Sequence, residues 1–497
     1  MQKYDVIIIG SGLGGLATAV TLSREGMNVC VLEQQVGFGG CCQSFRRKGY
    51  TLDTGIHYVG SLCEGQIMHQ YFKYYGVMDR LNLQKLDTEG FDLMCFGDGK
   101  VYPHAMGYER FVDRLVEAFP EERAGIVAYS KRLQEIGKLI TVDVLRSGRL
   151  SAGGMEFTAL SAHDEIASMV QNPRLRGVLA GSNRLYSGLA DKSSFYEHAM
   201  INHSNIEGAH CFVGGTQHMV DALVDVIRAQ GGEVRDRAEV TGIHLTDDRV
   251  SFVEVNGEER LEAKYVISAI HPATTLDLLR NNTVIKKAFF TRVRSLENSF
   301  AIFTTYLMMK PGTFRYENRN YFLHGDANVW LNEADYKGLK IPSVLMCMQP
   351  NGRDEFADVV TLLTPMCMSD LAPWLDTKVG RRGADYEAFK AQYAERVIDY
   401  AADYFPHLRD AIAHVHTASP LTYRDYTGTP DGSAYGIVKD YHNPIVSHLP
   451  ARTKIANLFL TGQNLNVHGC LGVAVSSAVT CSELLGMEYL AKKIGNA

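Results

Sequence analysis

Apolar positions along this chain follow two rhythms. Residues 4–9 (YDVIII) form an unbroken β-branched run closed by glycine, the pattern of a strand buried on both faces. Residues 14–25 carry Leu16, Ala19, Val20 and Leu22 at helical spacing and stop at Gly26. Residues 28–33 (NVCVLE) form a second buried strand, so the start of the chain predicts a strand–helix–strand unit with parallel strands. Between 76 and 205 the rhythm becomes that of amphipathic helices, such as 108–119 and 121–140. From 211 the first rhythm returns. Gly214-Gly215 leads into a helix with Val220, Leu223 and Ile227 on its inner face. Strands follow at 238–245, 250–256 and 259–264, with a tight hairpin at Asn256-Gly257, and 265–270 (YVISAI) is one more buried strand.

The stretch from 285 to 425 is mixed. Strands alternate in 299–309 and 343–349, and a helix over 385–405 aligns Tyr386, Phe389, Tyr393, Val397, Tyr400 and Tyr404 on one face, a stripe that reads as core packing. Residues 457–491 read as a strand, a glycine-rich loop and one helix over 472–491. One kind of fold therefore recurs in three pieces: 1–75, 206–284 and 450–497. The inserts 76–205 and 285–449 are expected to build a second, α+β domain for substrate.

Charge and cysteines narrow the picture. Fifty Lys and Arg stand against 56 Asp and Glu, a net charge of −6 with no basic block, so nucleic acid is not an expected partner. The ten cysteines include no C-x-x-C pair, which favours reduced thiols in a cytoplasmic protein, and no metal site is expected. Gly10, Gly12, Gly14 and Gly15 interrupt the first apolar run, so neither a signal peptide nor a membrane-spanning helix is expected. Peripheral contact with the inner face of a membrane stays open, since it needs only a surface patch.

The chemistry begins at Gly10-Ser11-Gly12-Leu13-Gly14-Gly15. Gly10 permits the tight turn out of the strand, Gly12 lets backbone approach a pyrophosphate, and Gly15 lets helix pack on strand. The helix N-terminus then offers free N–H groups and its positive dipole end to phosphate. Glu33, followed by Gln34, ends the second strand, where a carboxylate can accept from ribose hydroxyls. These positions predict dinucleotide binding. The chain also returns to the cofactor at its far end, with a strand, Gly462-Gln463, and a helix start near Gly472-Val473. A helix N-terminus there suits the flavin N1/C2=O edge. That closure points to FAD and to an α/β fold: a discontinuous FAD-binding Rossmann domain of the glutathione-reductase type carrying an inserted substrate domain. No second fingerprint marks a pocket for NAD(P)H, which stays a candidate electron donor.

Stretches from one end to the other ("VIIIGSGLGGLATAVTLSREGMNVCVLEQ", "GGCCQSFRRKGYTLDTGIHYVG", "FVGGTQHMVDAL", "ASPLTYRDYTGTPDGSAYG", "NLFLTGQNLNVHGCLGV") resemble the phytoene desaturase and carotenoid isomerase superfamily of FAD oxidoreductases. Typical desaturases carry Arg after the paired glycines. Cys41 stands there in this chain, which favours the saturase branch.

The resemblance implies that Gly39 and Gly40 cross the pyrophosphate and ribityl chain, with Cys41 and Cys42 beside the flavin ring. There the cysteines are small inert residues or, alternatively, redox or covalent partners. It also implies that Val240 meets the adenine and that Ala269 passes the cofactor. His57 and Tyr58 would emerge on the substrate side, as ring-lining proton donors or as structural side chains. His468, with Cys470, and His218 are rivals for the proton. Asp53 reads as a turn or cap residue, and Arg46-Arg47 as a solvated turn or a phosphate contact. The implied activity is saturation of a C=C bond in an apolar polyene or isoprenoid (retinol- or carotenoid-like), by hydride transfer from flavin N5 plus protonation, with an external electron donor or acceptor. Desaturation and cis–trans isomerisation at the same flavin are the alternatives. An amine oxidase-like enzyme, which would need an aromatic cage that Trp330 and Trp374 do not suggest, and a non-catalytic lipid-binding flavoprotein are more distant ones.

Overall fold

Strand Lys3–Ile9 lies inside an eight-stranded sheet, between Val29–Leu32 and Glu259–Ser268 and parallel to both. This computed structural model describes residues 3–150, 155–350, 352 and 355–497. Glu233–Arg235 continues the parallel series beyond Val29–Leu32, and Leu458–Leu460 adds to the far side of Glu259–Ser268. The strand alternation divides the core into two layers. Val6, Ile8, Val29 and Val31 face helices Leu13–Arg24, Gln217–Ala229 and Gly469–Leu485. Ile7, Ile9, Cys30 and Leu32 face the layer of Ile243, Val253 and Ile455.

The predicted strands 259–264 and 265–270 are one strand with three partners. Its first residues pair antiparallel with Arg249–Val255 and its last pair parallel with Lys3–Ile9. The hairpin before it turns at Asn256 and Gly257, both with positive φ (53° and 76°), as the tight turn requires.

A second sheet runs in the order Ile412–Ala418, Ala301–Met309, Val359–Met366, Ser343–Gln349, Asn320–His324, Asp92–Phe96, Val101–His104. All its pairs are antiparallel except Asn320–His324 with Asp92–Phe96. The last two strands correct the expectation of a mostly helical insert: DLMCF (92–96) is a buried strand, its four apolar side chains shared between two packed layers. One face of the sheet packs helix Ala384–Ala402, whose Tyr386, Tyr393 and Val397 are buried as the stripe predicts. The other face packs helices between 108 and 208. The terminal helix expected over 472–491 is two helices, Gly469–Leu485 and Met487–Gly495. Gly486 separates them at φ +89°, a conformation that favours glycine. No helix among the described residues is long and apolar enough to cross a membrane.

Candidate functional site

A groove of about 320 Å³ opens where the parallel strands end. Gly10 leaves strand Lys3–Ile9 at φ +95°, and helix Leu13–Arg24 starts at Gly12 with its N-terminus on the groove floor. A Cβ on Gly12 would meet nothing within 4 Å, so that position faces open space. Gly15 differs: a Cβ there would stand 2.0 Å from the Gly10 carbonyl oxygen, so this glycine joins helix to strand and lines nothing. Gly14 is pressed against Gly462, where a Cβ would come within 2.9 Å of Cα.

Glu33 closes the groove at the end of its strand. One carboxylate oxygen accepts from the Ser11 amide (3.0 Å) and hydroxyl (2.7 Å), the other from the Gln35 amide (2.9 Å). Gln34, Val240, Ala269, Gln463 and Val473 line the same space with Gly10, Ser11, Leu13, Gly14 and Gly462.

The double-glycine, double-cysteine stretch crosses beside this turn. The Gly39 amide bonds the Ser11 carbonyl (3.1 Å) and Gly39 itself packs on Val220, while Gly40, Cys41 and Cys42 line the groove. Burial pushes the Cys41 thiol up to about 11 and the Cys470 thiol up to about 12, and it raises Cys42 as well, so all three stay protonated and poorly nucleophilic at neutral pH. The ten cysteines are free, and no cluster among the described residues could hold a metal ion.

A second, apolar chamber of about 210 Å³ shares Cys41, Gly55, Ile56, Tyr435 and Cys470 with the groove. Its far walls are Met200, Phe300, Ile302, Leu345 and Leu363, and no carboxylate is in its lining. His57, Tyr58 and His468 all line it, as does Gly472, which packs on the Val467 carbonyl and does not reach the groove. Burial holds the His57 imidazole down at about 4, so it is neutral, and its Nε2 has no hydrogen-bond partner. Tyr58 donates its hydroxyl to Asp92 (2.8 Å). His468 Nε2 lies 3.0 Å from the Leu185 carbonyl and Nδ1 lies 3.3 Å from buried Glu197, with the Tyr435 ring 4.4 Å away.

His218 sits elsewhere, its Nε2 accepting from the Asn82 amide, and it lines neither space. Asp53 accepts from Ser44 and from the Thr216 amide, tying hairpin 44–53 to the start of helix Gln217–Ala229. Arg46 and Arg47 are exposed. Arg47 lines a third cavity of about 550 Å³, walled by Phe45, Tyr306, Tyr386 and Tyr423, which meets the groove at Gly40.

Sequence reasoning missed the outer wall of the groove: Tyr426 to Thr429, Ala434 and Tyr435. It also missed Lys439. This buried ammonium donates to the carbonyls of Ser447 (2.9 Å), Asn464 (2.8 Å) and Leu465 (3.2 Å), and burial draws its pKa down to about 8. Lys439→Met would leave three carbonyls without their donor. The expected loss is about 3 kcal/mol, read as a lower urea midpoint, together with weaker cofactor retention, because Asn464 lines the groove.

The groove suits a flavin dinucleotide on these observations: open space over Gly12, two helix N-termini (Leu13 and Gly469) at its wall, and a buried carboxylate at the ribose end. Comparison with known proteins agrees. The chain is 27% identical to all-trans-retinol 13,14-reductase of Danio rerio over 97% of its own length and 86% of the relative's. It is 23% identical to a lycopene-forming phytoene desaturase of Pantoea ananas, over 95% and 97%. Its fold is similar to putrescine oxidase bound to putrescine (TM-score 0.65, 13% identity, 97% and 99% covered) and to an oxidoreductase of Methanosarcina mazei (TM-score 0.61, 16% identity, 96% and 99% covered). Residues 13–359 match the model of the flavin containing amine oxidoreductases. That match takes in helix Leu13–Arg24, Glu33, Cys41 and Cys42 of the groove and strands of both sheets, and spans more than half of the molecule, so the chain belongs to the flavin-containing amine oxidoreductase family.

Proposed function

We propose that this protein is an FAD-dependent oxidoreductase that saturates a C=C bond in an apolar conjugated polyene or isoprenoid. The observation that carries this reading is the shared wall: an apolar chamber without a carboxylate adjoins a dinucleotide-shaped groove at Cys41, Tyr435 and Cys470. In this reading segments 1–75, 206–284 and 450–497 form a Rossmann-type FAD domain, and the inserts form the substrate domain.

Glu33 holds the ribose end, the N-termini at Leu13 and Gly469 stabilise negative charge on the cofactor, and the chamber binds the hydrocarbon and keeps water from it. A bound flavin supplies two electrons as a hydride. Conjugation makes the acceptor competent, because the charge left behind spreads along the polyene. A cationic amine would find no counter-charge in the chamber, which weighs against amine oxidation despite the family's name. The third cavity serves as vestibule, since it meets the chamber at Thr54 and Tyr423.

The test is anaerobic incubation of the FAD-loaded protein, reduced until its yellow colour bleaches, with conjugated polyenes, followed by mass spectrometry. A gain of two hydrogens per bond is expected. Loss of two from the oxidised protein would mean desaturation, unchanged mass with altered geometry would mean isomerisation, and no change in any polyene would overturn the reading.

A further inference from the structure

Asp92 is a buried acid that nothing so far employs. It sits on strand Asp92–Phe96, 1% exposed, on the face that Met94 and Phe96 turn to the helices between 108 and 208. One carboxylate oxygen accepts from Tyr58 (2.8 Å) and the other from the Asn320 amide (3.0 Å). Among the described residues no Lys, Arg or His forms an ion pair with it. The titratable groups that face it are the Tyr58 phenol and the thiols of Cys211 and Cys347, all neutral. His104, opposite in register on the neighbouring strand, directs Nε2 to the Val178 carbonyl (3.1 Å) and is held neutral by burial. A carboxyl in such surroundings gains little from ionising, and burial pushes it up to about 7. Of its two described hydrogen-bond partners, Tyr58 lines the chamber and Asn320 does not.

We propose that Asp92 supplies, through Tyr58, the proton that completes saturation of the substrate, Tyr58 being the catalytic residue and Asp92 the positioning residue behind it. The proposal rests on the function proposed above. With Asp92 ionised, the Tyr58 hydrogen is committed to the carboxylate and unavailable to substrate. With Asp92 protonated, its O–H donates to the phenol oxygen and the phenol hydrogen is free to turn into the chamber. As one carbon receives a hydride, its conjugated partner takes the Tyr58 proton. The phenol O–H bond breaks as the C–H bond forms, and the Asp92 proton moves to the phenolate oxygen. Asp92, left ionised, regains a proton from water once product has gone. The electron pair comes from the reduced cofactor and the proton ultimately from solvent. The other chamber groups are less suited: His57 is neutral, the Nε2 proton of His468 faces the Leu185 carbonyl, the hydroxyls of Tyr435 and Tyr423 donate to the carbonyls of Arg184 and Thr54, and the Arg184 guanidinium is bonded to Ser343.

Two measurements on the full chain test this. In the first, wild type minus Asp92→Asn infrared difference spectra are taken between pH 5 and 9, with no substrate. The expected signal is a carboxylic-acid carbonyl band lost with a midpoint near pH 7. A carboxylate already ionised at pH 5 overturns the proposal. In the second, single-turnover reduction of a conjugated polyene is followed in wild type, Asp92→Asn, Tyr58→Phe and the double variant. The wild-type rate should fall as pH rises through about 7. Each single variant should be about 100-fold slower and flat with pH, and the double variant no slower than either single one. An Asp92→Asn enzyme that keeps the wild-type inflection, or a double variant with multiplied losses, overturns it. Wild type that reduces no polyene at any pH refutes the function. The infrared titration is independent of that outcome, so the two failures are separable.

Discussion

Gly12→Asp is expected to give a folded, colourless protein. The substituent enters open space, and the backbone there (φ −58°, ψ 171°) accepts any residue. Asp is among the best residues at a helix N-cap, so the start of helix Leu13–Arg24 is at least as stable as before. What changes is the charge facing the cofactor. A carboxylate where a pyrophosphate should lie repels it and withdraws the N-terminal N–H groups from it, and FAD affinity should fall by at least about 100-fold. Gel filtration after loading with FAD, read at the visible flavin band, should show wild type yellow and the variant clear, with the melting temperatures of both apo proteins within a few degrees. A variant that stays yellow would place the dinucleotide elsewhere.

Gly15→Ala, three residues along the same motif, should fail in the opposite way. Its methyl group would stand 2.0 Å from the Gly10 carbonyl and 3.3 Å from the Ala269 Cβ, so helix and strand must separate to admit it. Overpacking of backbone against backbone costs about 3 kcal/mol. Apo protein should therefore lose stability in urea before any cofactor is added, and saturating FAD should recover part of the loss by mass action. The two glycines thus separate binding from architecture within one turn: unchanged apo stability in Gly15→Ala would refute the packing role.

What could be read beforehand depended on range. The glycine turn, Glu33 and the hairpin at Asn256-Gly257 follow from local rules of spacing and turn chemistry, and the structure has them at the expected positions. Strand Asp92–Phe96 was overlooked, although Asp98-Gly99 between it and Val101–His104 is a tight-turn signal. Its parallel partner Asn320–His324, more than 200 residues away, lay beyond any local rule. Asp92 itself reads as a surface acid, and only the assembled sheet buries it. Tyr426 to Thr429 carry no phosphate-binding spacing of their own and reach the groove through long-range packing. The break at Gly486 was visible as a residue, but one glycine inside a helical pattern does not announce whether it ends the helix.

Strand Glu259–Ser268, with its three partners, bears on how the molecule comes into being. It touches Lys3–Ile9 on one edge and Leu458–Leu460 on the other, so the parallel layer joins three stretches of polypeptide made far apart in time. On the ribosome that layer cannot close until residue 460 has emerged, and the wall at Gly469 and Val473 comes later still. Such pairings are slow to find and leave sticky edges waiting. Nascent chains should therefore lean on chaperones until residue 460 is out and capture their prosthetic group only after residue 473 has followed.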